Sequence, residues 1–303
     1  DRLELARIPQ SRDTFAGVVR PSRKQEPIKQ HVEFSYSPNG LDLPSDQTNL
    51  VVRALTLFRS KLTERDGGSL DVPRFRAHLT KNIPIDAGLG GAASNAATAL
   101  HGANELCGRP ASSEELREWA LDELGTDVAA FLGGTGSAYC TGRGVFLRAE
   151  AAEALPPLPS GLLEGSSSPW LLVVAPEVSL STPAVFRKLA ASQYSGLSAA
   201  DPASLRDSFA AAPTLGVNDL HDDALQLCPE LAVVSAALQR EGFESVLLSG
   251  AGPCLYAVGP PQDGETAEAF AARFADAATA ESGVPVRAWP VAFAKPDEET
   301  GWY

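Results

Sequence analysis

The glycines at 88, 90 and 91 sit in the segment Lys81-Asn82-Ile83-Pro84-Ile85-Asp86-Ala87-Gly88-Leu89-Gly90-Gly91-Ala92-Ala93-Ser94-Asn95-Ala96-Ala97, and their spacing suits one kind of chemistry. An alternating segment with Phe75, Ala77 and Leu79 on one face reads as the strand that enters the turn, and a run of small residues from about Ser94 to Leu106 reads as the helix that leaves it. A turn stripped of side chains lets backbone N–H groups come close to a ligand. The first N–H groups of the helix have no partner within it and lie at the positive end of its dipole. The combination makes an anion site, and phosphate is the usual anion. No Gly-Lys-Ser/Thr closes the segment as in a Walker A loop, and its glycines do not give GxGxxG. Taken only as glycine-rich, it is equally an ordinary structural turn.

Two further places carry chemistry. Gly125-Thr126-Asp127-Val128-Ala129-Ala130-Phe131-Leu132 sets one carboxylate in an apolar stretch, where Asp127 either caps the following helix or has a task. Leu248-Ser249-Gly250-Ala251-Gly252-Pro253-Cys254 reads as strand, glycine turn, strand. It is either a bend or a place where backbone closely approaches a ligand or the first glycine loop.

The elements that must position these residues can be read from periodicity. Asp1 to Ile8 and His31 to Tyr36 read as strands, with a solvated insertion from 9 to 30. Thr48 to Lys61 carries Leu50, Val51, Ala54, Leu55 and Phe58 on one helical face, with Asp46 or Thr48 as cap. Ser112 and Glu115 form a capping-box pattern for a helix that stops before Gly125. A strand is expected around Gly136 to Leu147, and Trp170 to Ala175 is an apolar run of the buried-strand kind. Helices are expected over about 183–193, 230–241 and 265–280. The Pro-, Gly- and Ser-rich stretch Ala154 to Pro169 predicts a boundary. The mixture predicts an α+β protein of two lobes with a cleft between them.

The chain has 303 residues and a formal net charge of -13, a surface that repels a phosphate backbone, so nucleic acid is not an expected partner. No apolar run reaches the length of a membrane span. Cys107, Cys140, Cys228 and Cys254 include no CxxC pair, which predicts reduced thiols instead of a zinc site or a disulfide scaffold. There is no methionine, so Asp1 is not expected to be the translation start.

In full, the string Pro84 to Ala97 resembles the ATP-binding motif of the GHMP kinases, most closely the branch that phosphorylates diphosphocytidyl-methylerythritol in the non-mevalonate isoprenoid pathway. Leu248 to Cys254 is similar to the family's third motif, Gly125 to Leu132 to its Asp-bearing string, and Leu43 to Leu50 to its Leu-Pro-x-Asp-x-x-Asn-Leu segment. Pro176 to Phe186 is similar to its Pro-x4-Ser-Thr segment, and Asn218-Asp219-Leu220 to its Asn-Asp-Leu mark, read as structural. These matches run in family order.

The resemblance implies a two-lobed GHMP kinase fold, with a ribosomal protein S5 domain 2-like N-terminal lobe and a ferredoxin-like C-terminal lobe. The expected domains are 1–153, binding ATP and incomplete at its start, and 170–303. It implies ATP and Mg²⁺ as cofactors, and Asp127 as the catalytic acid–base residue. Lys81, Pro84, Ala87, Gly88, Leu89, Gly90, Gly91, Ser94 and Asn95 would surround the nucleotide phosphates, with Asn49 and Leu50 near adenine. Ser94 is the candidate metal contact, and Thr182, Ser249, Gly250 and Gly252 are candidates for substrate.

This chain departs from the family pattern at Ala92-Ala93, usually Gly-Ser, at Ala129, usually Pro, at Val145, usually Glu, and at Pro253, usually Ser. The family's opening Ala-Lys-Ile-Asn-Leu strand and its aromatic–histidine turn for cytosine are not in the sequence, so the chain is expected to start one or two strands into the fold. His31, His78, His101 and His221 are read as surface or helix residues. Ser137 to Gly144 and the terminal Gly301-Trp302-Tyr303 are most like plant and algal members, which implies plastid residence, bacterial cytoplasm being the alternative. Another GHMP kinase, for homoserine, mevalonate or a sugar, and a nucleotide-binding homologue without turnover are the competing readings.

Overall fold

Phe75, Ala77 and Leu79 are buried while Arg74, Arg76, His78 and Thr80 lie on the other face of one strand, the period-two pattern of a half-covered sheet. The structure, a computed structural model, describes residues 1–8, 32–37, 43–65, 67, 72–133, 138–139, 153–154, 170–189, 218–243, 245–259 and 265–292. The chain divides into two compact units. One comprises Asp1–Ile83, Gly91–Gly133 and Cys140–Glu153, the other Pro84–Gly90, Gly134–Tyr139 and Ala154–Tyr303.

In the first unit, β1 (Arg2–Ile8), β2 (Val32–Ser37) and β3 (Arg74–Thr80) form a sheet in the order β1-β3-β2. β1 runs antiparallel to β3, with Leu5 opposite Ala77, and β2 runs parallel to it, with Phe34 opposite Ala77. Helices α1 (Leu50–Arg65) and α2 (Gly91–Leu106) pack on each other and on this sheet. Phe58 of α1 meets Phe75 edge-on at 6.0 Å and also contacts Trp119. Phe58, Phe75, Leu55 and Leu100 are fully buried, each contributing about 2 kcal/mol of transfer free energy. On the opposite face Arg76 pairs with Glu33 at 2.7 Å, and the His78 ring lies between the hydroxyls of Ser35 and Ser37 at 2.9 and 3.0 Å.

The cap of α1 is Asn49, whose side-chain oxygen accepts the Val51 N–H at 2.9 Å. Asp46 instead builds the preceding turn by accepting from the N–H and hydroxyl of Thr48. The expected choice of Asp46 or Thr48 is therefore corrected by three residues at most, since all three side chains can cap and only backbone geometry selects among them. Helix α3 (Ser113–Glu123) has the full capping box, Ser112 accepting from Glu115 N–H at 3.2 Å and Glu115 from Ser112 N–H at 2.8 Å. Helix α4 (Thr126–Phe131) follows after Gly125. The strand expected over Gly136 to Leu147 is described only as β4 (Ala138–Tyr139), with β5 at Glu153–Ala154. His31, Cys140, Val145 and Trp302 lie outside the described residues.

In the second unit, β6 (Trp170–Pro176), β7 (Ser245–Leu248), β8 (Leu255–Gly259) and β9 (Val286–Val291) form an antiparallel sheet in the order β7-β8-β6-β9. Helices α5 (Thr182–Lys188), α6 (His221–Leu227), α7 (Pro229–Arg240) and α8 (Ala267–Ser282) accompany it. Leu172, Leu231, Leu238, Leu255, Phe270 and Phe274 form the centre of one apolar core. Helix α8 is capped by Thr266, which accepts from Ala269 N–H at 3.2 Å, and ends at left-handed Gly283. Helix α5 ends at Lys188, where Leu189 turns to ψ 113; residues 190–193 of the expected helix lie outside the described residues.

Candidate active site

The glycine loop Pro84–Gly90 belongs by its contacts to the second unit, and its hydrogen bonds show why. The Ser249 hydroxyl donates to Gly88 O at 2.9 Å, and the Cys254 N–H donates to Ala87 O at 3.2 Å. Ala87, Ala175 and Cys254 bury one another, with Leu89 and Trp289 packed alongside. The turn Ser249–Cys254 closes on itself through Ser249 N–H to Cys254 O at 2.8 Å and Gly252 N–H to Ser249 O at 2.9 Å. At Gly88 a Cβ would lie 2.1 Å from Ser249 O, and at Gly250 a Cβ would come within 3.2 Å of Gly88 O. Two glycines at these places let two backbones touch.

Asp86, Gly88 and Gly90 have φ of 52°, 74° and 66°, while Ala87 and Leu89 between them do not share the left-handed region. Where left-handed residues alternate with right-handed ones, successive N–H groups turn toward a common side, which is how backbone builds an anion-binding concavity. Chain continuity carries the loop directly into Gly91, the first residue of α2, where helix N–H groups are again unpaired.

Beneath that helix start, in the first unit, lies a buried polar cluster. The Asp1 carboxylate pairs with the Lys81 ammonium, the two side chains being 4% and 6% exposed. The same carboxylate accepts from the Asn82 and Ile83 N–H groups at 2.7 Å each and from the Asn95 amide at 2.8 Å. A Cβ at Gly91 would meet Lys81 Nζ at 2.9 Å and Ile83 Cγ2 at 3.0 Å, so the first residue of helix α2 lies directly against this cluster, and the helix starts earlier than its polar residues suggest. Burial pulls the Lys81 ammonium down to about 8. Lys81 and Asn95 are thus buried together, whereas Ser94 is half-buried with its hydroxyl donating to Gly91 O at 3.0 Å. Ala92 is exposed and Ala93 buried. Lys81→Met leaves the Asp1 carboxylate buried without its counter-charge, so stability is expected to fall by about 3 kcal/mol, read as a lowered urea midpoint.

Asp127 stands in the first turn of α4, exposed, beside buried Val128 and Ala129. The N-cap position belongs to Gly125, which has no side-chain cap bond, and the Asp127 carboxylate makes no hydrogen bond to another described residue. Asn49 is engaged at both ends of its amide, donating to Pro44 O at 2.9 Å besides capping α1, and Leu50 is half-buried. Thr182 opens α5 and is exposed. Among the described residues no group of His, Cys, Asp or Glu could hold a metal ion by itself.

The three described cysteines, Cys107, Cys228 and Cys254, are free thiols. Burial pushes the Cys254 thiol, directly behind the loop, up to about 12. At pH 8 its thiolate fraction is on the order of 10⁻⁴, so iodoacetamide is expected to leave Cys254 unlabelled in the native protein and to label it after denaturation, as peptide mass spectrometry would read.

Asn218 and His221 were not singled out for the site by sequence, yet they touch it. Their partners lie 30 and 27 residues away, and no local pattern signals such a bond.

Comparison with known proteins gives a consistent result. Residues 49–135 match the GHMP kinases N terminal domain and residues 208–278 the GHMP kinases C terminal domain. The chain is 38% identical over 232 residues to a 4-diphosphocytidyl-2-C-methyl-D-erythritol kinase of Protochlamydia amoebophila (strain UWE25), covering 77% of this chain and 70% of that one. It is 34% identical to a chloroplastic enzyme of the same name from Mentha piperita, covering 76% of this chain and 55% of that one. The chain therefore spans little more than half the length of that plant relative. Among solved structures, it is similar to a 4-(cytidine 5'-diphospho)-2C-methyl-D-erythritol kinase with a TM-score of 0.58 at 24% identity, covering 95% and 84% of the two chains. It is also similar to a homoserine kinase from Cytophaga hutchinsonii, with a TM-score of 0.61 at 20% identity, covering 86% and 82%. These structural likenesses are likenesses of fold. No helix among the described residues is long and apolar enough to cross a membrane.

Proposed function

The chain belongs to the GHMP kinase family, among the 4-diphosphocytidyl-2-C-methyl-D-erythritol kinases, and we propose that it transfers the γ-phosphoryl group of ATP to the 2-hydroxyl of diphosphocytidyl-methylerythritol. The observation that carries the nucleotide half of this reading is the glycine loop, with left-handed backbone at Asp86, Gly88 and Gly90 and Gly88 fixed against Ser249. N–H groups held in that way need no reorganisation when phosphate oxygens arrive, which is where phosphoryl-transfer enzymes gain most. Pro84, Ala87, Leu89 and Gly90 shape the loop in this account, and Gly91 with Ser94 opens the helix behind it. Lys81 and Asn95 act from below, by holding that helix start through Asp1.

In the reaction the 2-hydroxyl oxygen bonds to the γ-phosphorus, the bond from that phosphorus to the bridging oxygen breaks, and ADP leaves with the electron pair. The hydroxyl proton passes to Asp127, whose carboxylate is exposed and unengaged among the described residues. Mg²⁺ would neutralise charge on the phosphates. With no protein cluster able to hold it alone among the described residues, ATP oxygens and water would supply most of its ligands, as is usual for this ion, and the Ser94 hydroxyl is the side-chain donor proposed beside them. Asn49 and Leu50 are assigned to the adenine side. Thr182, Ser249, Gly250 and Gly252 are assigned to substrate. The domains are taken as 1–153 and 170–303.

The likeness to chloroplastic relatives supports residence in the plastid stroma, with bacterial cytoplasm as the alternative, since the chlamydial relative is of similar identity. The substrate assignment is tested by measuring kcat/KM of the full-length protein for diphosphocytidyl-methylerythritol, homoserine and mevalonate side by side. A preference for the first of about a thousandfold or more is expected, because a site that hydrogen-bonds a particular group rejects analogues lacking it by such factors. Equal or greater turnover of homoserine or mevalonate would replace the assignment.

A further inference from the structure

Among the described residues strand β7 is an edge strand of its sheet, and its last residue, Leu248, leads directly into the turn on which Gly88 rests. Outward-facing backbone groups of an edge strand have no ladder partner and must be satisfied in another way. Here two side chains from the start of α6 supply what is missing. Asn218 Nδ2 donates to Leu248 O and to Gly250 O at 2.8 Å each, and its own oxygen accepts from Leu220 N–H at 3.0 Å, which fixes the amide's orientation. His221 Nδ1 accepts from Leu248 N–H at 3.0 Å. An imidazole accepting through Nδ1 is neutral and carries its proton on Nε2. Burial pushes His221 below the usual histidine range, against the opposing pull of Asp222. Both backbone groups of Leu248 and the carbonyl of Gly250 are therefore held from one side, while the Ser249 hydroxyl between them holds Gly88 on the other.

We propose that Asn218 and His221 are positioning residues for nucleotide binding, clamping the Leu248–Gly252 turn so that it holds the glycine loop in its phosphate-receiving form before ATP arrives. The inference rests on the reading of that loop as the ATP site. Gly250 and Gly252 have φ of 57° and 80°, and a turn with so many accessible backbone states gains order from exterior partners. His221 is well suited because a flat ring accepts the N–H without adding a charge beside the carbonyls.

The test is the affinity of the full-length protein for a fluorescent ATP analogue, compared with His221→Leu, His221→Asn and Asn218→Ala, each checked for folding by circular dichroism. Asn places an oxygen where the histidine Nδ1 stands, so it keeps the acceptor. His221→Leu and Asn218→Ala are expected to weaken nucleotide binding about tenfold, the scale of one buried group left unpaired. His221→Asn is expected to recover affinity to within about threefold. Unchanged affinity in a folded His221→Leu overturns the proposal, as does an Asn variant no better than Leu. If Leu and Ala variants both fail to fold, the pair is a folding element and the proposal is again overturned. A wild-type protein that binds no nucleotide removes the reading of the loop itself, a result distinct from all of these.

Discussion

Asp127→Asn is expected to lower kcat by about three orders of magnitude while ATP affinity stays within about twofold, the range for loss of a general base. The amide keeps the size and the hydrogen-bonding reach of the carboxylate but cannot take a proton at neutral pH. The prediction separates two readings of the same residue. As a first-turn acid on α4, Asp127 would contribute only about 0.3–1 kcal/mol through the helix dipole, and its replacement would shift the melting temperature slightly without touching kcat. The structure leaves the side chain exposed and gives the N-cap position to Gly125, which takes away the cap role. Single-turnover kinetics with saturating ATP would measure the chemical step directly.

The second large effect is expected at Gly88. An alanine methyl there would lie 2.1 Å from Ser249 O and 3.0 Å from Gly252 N, backbone atoms that cannot swing aside. The left-handed φ of 74° costs a further ~1–2 kcal/mol for a residue with a Cβ. The loop must then lift from the turn, losing the Ser249 and Cys254 hydrogen bonds. Affinity for ATP is expected to fall by about a hundredfold or more in Gly88→Ala. Gly67→Ala is the matched comparison, since Gly67 has a similar φ of 64° with open space around its would-be Cβ. It carries the strain alone, and nucleotide affinity should not change. Equal effects of the two substitutions would mean that strain, not the close approach, is what matters at Gly88.

These two residues also mark what a sequence can disclose. The backbone geometry of the glycine loop is legible because glycine is nearly the only residue for a left-handed turn or a backbone contact, and Asp127 stands out as a candidate because a lone carboxylate among apolar residues needs a reason. The partner of the loop is legible in part: the glycine turn at 250 and 252 is expected to bring backbone close to a ligand or to this loop, but the residues that meet, Gly88 and Ser249, are far apart in the chain and no local pattern pairs them. The clamp of Asn218 and His221 is hidden for the same reason, and the substitution-tolerant appearance of a histidine at a helix start conceals it further. Among elements, β9 escapes because Arg287 and Pro290 interrupt its apolar pattern. Its place at the sheet edge tolerates both. Helix α6, two short turns with no side-chain cap, is expected only through the Asn-Asp-Leu mark at 218–220 and not from periodicity. The capping box of α3, by contrast, is a reciprocal pair at fixed spacing, and it forms as its residues predict.

Phosphorus NMR of the reaction follows the proposed transfer of phosphate from ATP to one hydroxyl of diphosphocytidyl-methylerythritol. The full-length protein, ATP, Mg²⁺ and the acceptor would be followed together, with the Asp127→Asn variant in parallel. A new phosphomonoester resonance coupled to carbon 2 of the methylerythritol is expected, growing in step with ADP and absent from the variant. ATP consumed with no such resonance, or a phosphomonoester at another hydroxyl, would contradict that transfer.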